Sequence, residues 1–130
     1  MTKLFINPPQ LGGADSPFSQ GVRAGNTLYI SAQAGADAEG RIAVGDDAVE
    51  QCSAIFKRVA AILAAGGAKP TDVVMVRGFL KRRADIEATW QVRREFFGTH
   101  RPASTTFLVD DVETEGALMS FEIVAILDAA

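Results

Sequence analysis

The sequence predicts an α+β domain, a single sheet with two helices covering one face. Three observations carry this: β-prone runs outnumber helical ones, each helical stretch has one apolar stripe, and the last run is apolar on both alternating faces. With 130 residues, 48% of them hydrophobic and 22% charged, residues 1–130 fit one domain around one core.

The elements follow in order. A loop-rich start, NPPQLGGADSP, gives way to QGVRAGNTLYIS, whose two β-prone runs flank Gly25-Asn26. A glycine-first loop of this length suits a type II′ hairpin, with strands at Gln20–Ala24 and Thr27–Ala32. Asp47 and Glu50 have capping-box spacing, and Val49, Cys52, Ile55, Phe56, Val59, Ile62 and Leu63 follow at helical intervals up to Gly66-Gly67. Pro70-Thr71-Asp72 leads into VVMVRGFL, a β-branched run that reads as a buried strand. A second helix runs from about Asp85 to Phe97 with Gly98 as its stop, and two strands close the chain, Thr105–Val109 and Leu118–Leu127. The order is β-β-α-β-α-β-β.

On the last strand Leu118, Val124 and Ile126 fall on one side, and Met119, Phe121, Ile123 and Leu127 on the other. Two helices cannot cover both faces of such a sheet. The sequence therefore predicts a homo-oligomer packed sheet against sheet.

Charge and cysteine content narrow the classes of function. A net charge of -3 gives no field attractive to phosphate, so the Lys81-Arg82-Arg83 and Arg93-Arg94 clusters read as a solvated basic patch, with no nucleic-acid partner expected. The single Cys52 cannot form an internal disulfide, no run reaches the ~18 apolar residues of a bilayer span, and MTKLFINPPQ lacks the apolar core of a signal peptide. The expected compartment is the cytoplasm, with no membrane partner. No phosphate-binding glycine loop or paired metal-ligand motif occurs, so neither a cofactor nor a metal is expected.

Among candidate site residues, Glu122 interrupts the apolar run SFEIVAIL. It reads either as an edge-strand charge that discourages aggregation or as a pocket carboxylate. Ser104, Thr106 and Leu108 alternate onto one strand face, expected to line the pocket that Glu122 enters, with Thr105 pointing away. The solitary His100 reads as a loop residue. Trp90 lies at the margin of the second helix's apolar stripe, either as core filler or as a pocket wall or trimer contact.

The segments SPFSQGVRAGNTLYISAQ, AAILAAGGAKPTDVV, EFFGTHRPASTTFLV and FEIVAIL together resemble the Rid family of reactive-intermediate deaminases, also called YjgF-like or endoribonuclease L-PSP-like. The resemblance implies a chorismate-mutase-like fold with about six strands in one mixed sheet. It also implies a homotrimer whose sheets form a central barrel, with pockets at subunit boundaries. It further implies hydrolysis of enamines and imines derived from amino acids, without metal or cofactor. In the family an arginine grips the substrate carboxylate and a glutamate on the last strand positions water.

Glu122 matches that glutamate, Ser31 a serine ending the second hairpin strand, and Phe18 a position commonly tyrosine. The family's Pro-Ala-Arg-Ser/Thr motif stands here as Pro102-Ala103-Ser104-Thr105, so a hydroxyl replaces the guanidinium. Trp90 stands where many members carry a small or polar residue. Arg101, or a basic residue of a neighbouring subunit, is the candidate replacement for the missing charge. The expectation is a divergent Rid protein with Glu122 as catalytic group and Phe18, Ser31, Trp90, Arg101, Ser104 and Thr106 binding substrate. It would deaminate or tautomerise an enamine or imine-type small metabolite, with weak or no standard 2-imino acid deaminase activity. The alternatives are a non-catalytic ligand- or protein-binding trimer and, more weakly, a ribonuclease.

Overall fold

The protein is described by a computed structural model over residues 2–128. Six strands form one mixed sheet: β1 (Lys3–Ile6), β2 (Gly21–Ala24), β3 (Thr27–Gln33), β4 (Val73–Leu80), β5 (Ala103–Leu108) and β6 (Met119–Ile126), in spatial order β1-β2-β3-β6-β4-β5. Among the described residues only β4 and β5 run parallel. Two helices, α1 (Ala48–Ala65) and α2 (Ile86–Phe97), pack on one face. The α+β architecture predicted from the sequence is present.

Local chemistry sets the boundaries. Gly25 turns the β2–β3 hairpin at φ 62°, the left-handed conformation a type II′ turn requires of its first central residue. Asp47 caps α1, its Oδ1 accepting from the Glu50 amide at 2.9 Å. The apolar stripe of α1 is buried as its spacing predicts, with Cys52, Ile55, Val59 and Ile62 fully enclosed. Phe56 gathers the rings of Phe96, Phe97 and Phe121 around it at 5.0 to 5.9 Å between centroids, joining both helices to the central strand.

Two readings need correction. The five-strand order omits β1, which the sequence masks because Lys3–Phe5 are exposed and only Ile6 is buried. An edge strand with a single inward side chain shows no strong alternation. Alternation puts Leu118 on the same side of the last strand as Val124 and Ile126, yet it is buried in the core. It precedes β6, and the buried Gln51 of α1 fixes it there: Gln51 Oε1 accepts from the Leu118 amide at 2.8 Å, while Nε2 donates to the carbonyls of Gly45 and Gly116. One buried amide thus satisfies three backbone groups of two loops, removing the cost of leaving them dry and unpaired.

Gly78 on β4 lies against the Phe121 ring, where an added Cβ would stand 2.5 Å from Cε1. Gly78→Ala is therefore expected to destabilise the fold by about 1–3 kcal/mol through overpacking, read as a lowered Tm. An unchanged Tm would show that the ring swings aside at no cost.

One row of the helix-free face is apolar across the whole width of the sheet. Phe5, Val22, Tyr29, Val124, Met75 and Ala103 are successive register partners, one from each strand. Tyr29 is 54% exposed and Phe5 68%. Phe79 and Phe107 stack on the same face at 5.4 Å.

Candidate functional site

Glu122 lies on β6, an inner strand between β3 and β4, so the edge-strand reading of this carboxylate does not hold. It faces the helix-free side, and its Oε1 accepts from Arg77 Nη1 at 3.1 Å, with both side chains over one-third exposed. Arg77 is its register partner on β4, and Thr105 is in turn the partner of Arg77 on β5. Sequence reading passed over Arg77 inside VVMVRGFL, where a charge in an otherwise buried-looking strand was the available signal.

Across β6 on the other side, the ladder breaks. Ile30 pairs with Ile123 and Gln33 with Phe121, so Ser31 and Ala32 together stand opposite the single residue Glu122. Such a bulge bends a strand and redirects a side chain. Ser31 and Ala32 thereby enter a cleft of ≈ 420 Å³ shared with Phe18, Ser120, Asp37 and Arg58. Ser31 Oγ donates to the Ser19 carbonyl at 2.8 Å, tying the strand to the segment that carries Phe18.

The cleft floor is fixed by polar bonds. Gln33 Nε2 donates to Gln20 Oε1 at 2.8 Å, and Arg58 donates to Gln33 Oε1 and to the carbonyls of Leu11 and Ala36. Desolvation holds the Arg58 guanidinium below its ordinary pKa. On the rim, the backbone N–H of Arg41, opposed by desolvation and aided by that of Glu39, holds the Asp37 carboxyl below the usual carboxylate range.

Ser104 and Thr106 lie elsewhere. Their register partners on β4 are Val76 and Gly78, whereas Glu122 shares its face with Arg77. The two hydroxyls therefore point to the helix side and do not share a pocket with Glu122 within one subunit; Thr105, expected to point away, is the β5 residue on the carboxylate's face. Alternation fixes faces within a strand. The phase between strands is set by pairing register, which β5 acquires from its parallel partner rather than from its own composition.

On that helix side Ser104 meets a cation. Arg93 Nη2 of α2 donates to Ser104 Oγ at 2.6 Å, and the Arg93 guanidinium carbon lies 5.9 Å from the Phe121 ring centroid. Arg93 is half-buried, so it is not part of a solvated basic patch. The rest of that patch is largely engaged: Lys81 pairs with Asp111 at 3.4 Å and Arg82 with Asp85 at 2.8 Å. Trp90 is 48% exposed beside Arg94 and is no core filler. Arg101 is exposed, with no side-chain hydrogen bond among the described residues. His100 Nε2 lies 2.7 Å from the Val73 carbonyl, a bond that ties the loop before β5 to β4.

The family model described as endoribonuclease L-PSP matches residues 10–127. The chain belongs to this family, the RidA/YjgF family. A 2-iminobutanoate/2-iminopropanoate deaminase of Dermatophagoides farinae is 30% identical to this Rid-family chain over 126 residues, covering 97% of this chain and 98% of the relative. The Homo sapiens protein of the same name is 29% identical, covering 97% and 91%. Among solved structures, RidA from an Antarctic Psychrobacter superposes with a TM-score of 0.86 at 26% identity over 95% of this chain and 99% of its own. The YjgF gene product of E. coli gives 0.85 at 25% identity, over 95% and 98%. The six-stranded sheet of this Rid-family chain thus has the architecture of its relatives.

Cys52 plays no part in the cleft. Burial pushes its thiol from an ordinary 9.0 up to about 12, so it stays protonated and unreactive in the folded Rid-family chain. Above pH 9 the unfolded chain releases this proton while the folded chain keeps it, so the fold binds more protons and loses stability as pH rises from about 9 toward 12. Iodoacetamide at pH 8 is expected to label Cys52 only in denaturant; labelling of the native protein would contradict its enclosure.

Proposed function

We propose that this Rid-family protein hydrolyses an enamine- or imine-type small metabolite, without cofactor, at a site completed between subunits. The observation that carries the reading is the bulge that places Ser31, a cleft residue, opposite Glu122 on an inner strand, although Glu122 itself is not part of the cleft lining. The deaminase names of the relatives in mites and humans support the same class of reaction.

In the proposed reaction Glu122 accepts a proton from water while the water oxygen bonds to the imine carbon, and it returns that proton to the nitrogen that receives the C=N pair. Collapse of the resulting carbinolamine moves the hydroxyl proton through Glu122 to nitrogen and breaks the C–N bond, leaving a carbonyl and releasing ammonia, which takes up a solvent proton to become ammonium. Arg77 anchors Oε1, and among the described residues no hydrogen bond reaches Oε2, the atom available to water. Phe18, Ser31 and Ser120 form the pocket wall on this subunit.

Ser104, Thr106 and Trp90 belong to the far edge of the sheet, so their place in the pocket requires a neighbouring subunit. The exposed apolar face supports assembly as a trimer with a central barrel, as in the family resemblance. Turnover of the smallest 2-imino acids should be slow, because Ser104 itself carries no charge and the exposed indole of Trp90 offers an apolar surface that only a larger side chain reaches. The test is ammonium and 2-oxo acid release from 2-iminopropionate generated in situ, with spontaneous hydrolysis subtracted. Acceleration that grows with a larger imine side chain is expected; no acceleration with any imine would leave a non-catalytic binding trimer.

A further inference from the structure

The missing charge at position 104 has a substitute on the helix behind it. Arg93 Nη2 bonds Ser104 Oγ, and among the described residues no carboxylate lies within ion-pair distance of this guanidinium. The other half-buried arginines are occupied. Arg23 donates to the carbonyls of Gly25 and Gly66, Arg58 to Gln33, Leu11 and Ala36, and Arg77 to Glu122.

Ser104 is exposed at the sheet edge, so a ligand can reach the pair from solvent. A hydroxyl that accepts from Arg93 keeps its own O–H to donate, and the guanidinium keeps N–H groups beyond the one used. The two side chains can therefore donate together to one anion, a two-point arrangement that fits the oxygens of a carboxylate. Trp90 lies one helical turn before Arg93 and supplies an exposed apolar surface beside it. Desolvation, the larger influence on the Arg93 guanidinium, depresses its pKa, a cost that an incoming anion relieves.

We propose that Arg93, steadied by the Ser104 hydroxyl, binds the carboxylate of a small 2-imino or 2-oxo acid, so that α2 supplies the charge that β5 lacks. This rests on the reading of the protein as an imine hydrolase for the substrate class alone; carboxylate binding is tested separately.

The probe is 2-oxobutanoate, titrated calorimetrically into the intact protein, with methyl 2-oxobutanoate as the uncharged control. Saturable binding of the acid but not the ester is expected. Arg93→Gln should weaken binding at least tenfold, Arg93→Lys should retain part of it, and Ser104→Arg alone should gain nothing, because two guanidinium groups would face each other. The exchange variant R93S/S104R, which moves the cation from helix to strand, should recover binding that R93S has lost. This recovery is the readout that a purely structural Arg93 would not give.

Undiminished binding by Arg93→Gln, or no saturable binding by the wild type, overturns the proposal. If imine hydrolysis is found but Arg93→Gln leaves KM unchanged, Arg93 is not the clamp and the hydrolase reading stands. If Arg93-dependent binding is found without any hydrolysis, the hydrolase reading falls and the anion site stands.

Discussion

Glu122→Gln is expected to slow hydrolysis of any accepted imine by at least about a hundredfold, the usual scale for removing a general acid–base group. The amide keeps the size and shape of the carboxylate but cannot take the proton of the attacking water. Fold and assembly should be untouched. In the isolated subunit Arg77 and Glu122 are both more than one-third exposed, so loss of the ion pair costs its fold at most about 1 kcal/mol. A steady-state assay beside light scattering checks both halves. Retained turnover in Glu122→Gln would remove Glu122 from the chemistry.

Val124→Glu should abolish assembly and activity together. Val124 sits between Tyr29 and Met75 in the apolar row that crosses all six strands. In the monomer its side chain is half-buried on the helix-free face, where a carboxylate can reach water, so the subunit should still fold. In a trimer packed through that face, three carboxylates would be brought together away from solvent, an arrangement that costs several kcal/mol. Light scattering should report monomer, and the imine assay no acceleration over the spontaneous rate. A Val124→Glu trimer would mean that subunits associate through another surface.

Much of the fold could be read from local signals, because each came from one segment. The Gly25-Asn26 turn, the Asp47 cap and the apolar stripe of α1 each depend on residues close in sequence. Lys3–Ile6 escaped because three of its four residues are exposed at an edge. Glu122 stood out because its burial pattern conflicted with its charge, and Ser31 and Phe18 through resemblance alone. Ser104 and Glu122 do not share a face within one subunit because their relation depends on register between β5, β4 and β6, which is a relation among distant segments. Arg93 escaped for a related reason. Its position on an arginine-rich helix looked solvated, and only the packing of α2 beside β5 turns it toward Ser104.

The extra residue in β3 separates what the core needs from what the site needs. Deleting Ala32 in thought restores an unbroken ladder, with Ser31 alone opposite Glu122 and Gln33 still in register with Phe121. Every inward side chain would remain inward, so the packing beneath the sheet does not demand the irregularity. Its effect falls on the cleft, where it sets the aim of Ser31 and brings Ala32 into the lining. A shortened chain could therefore keep the architecture intact while losing the shape of its substrate pocket.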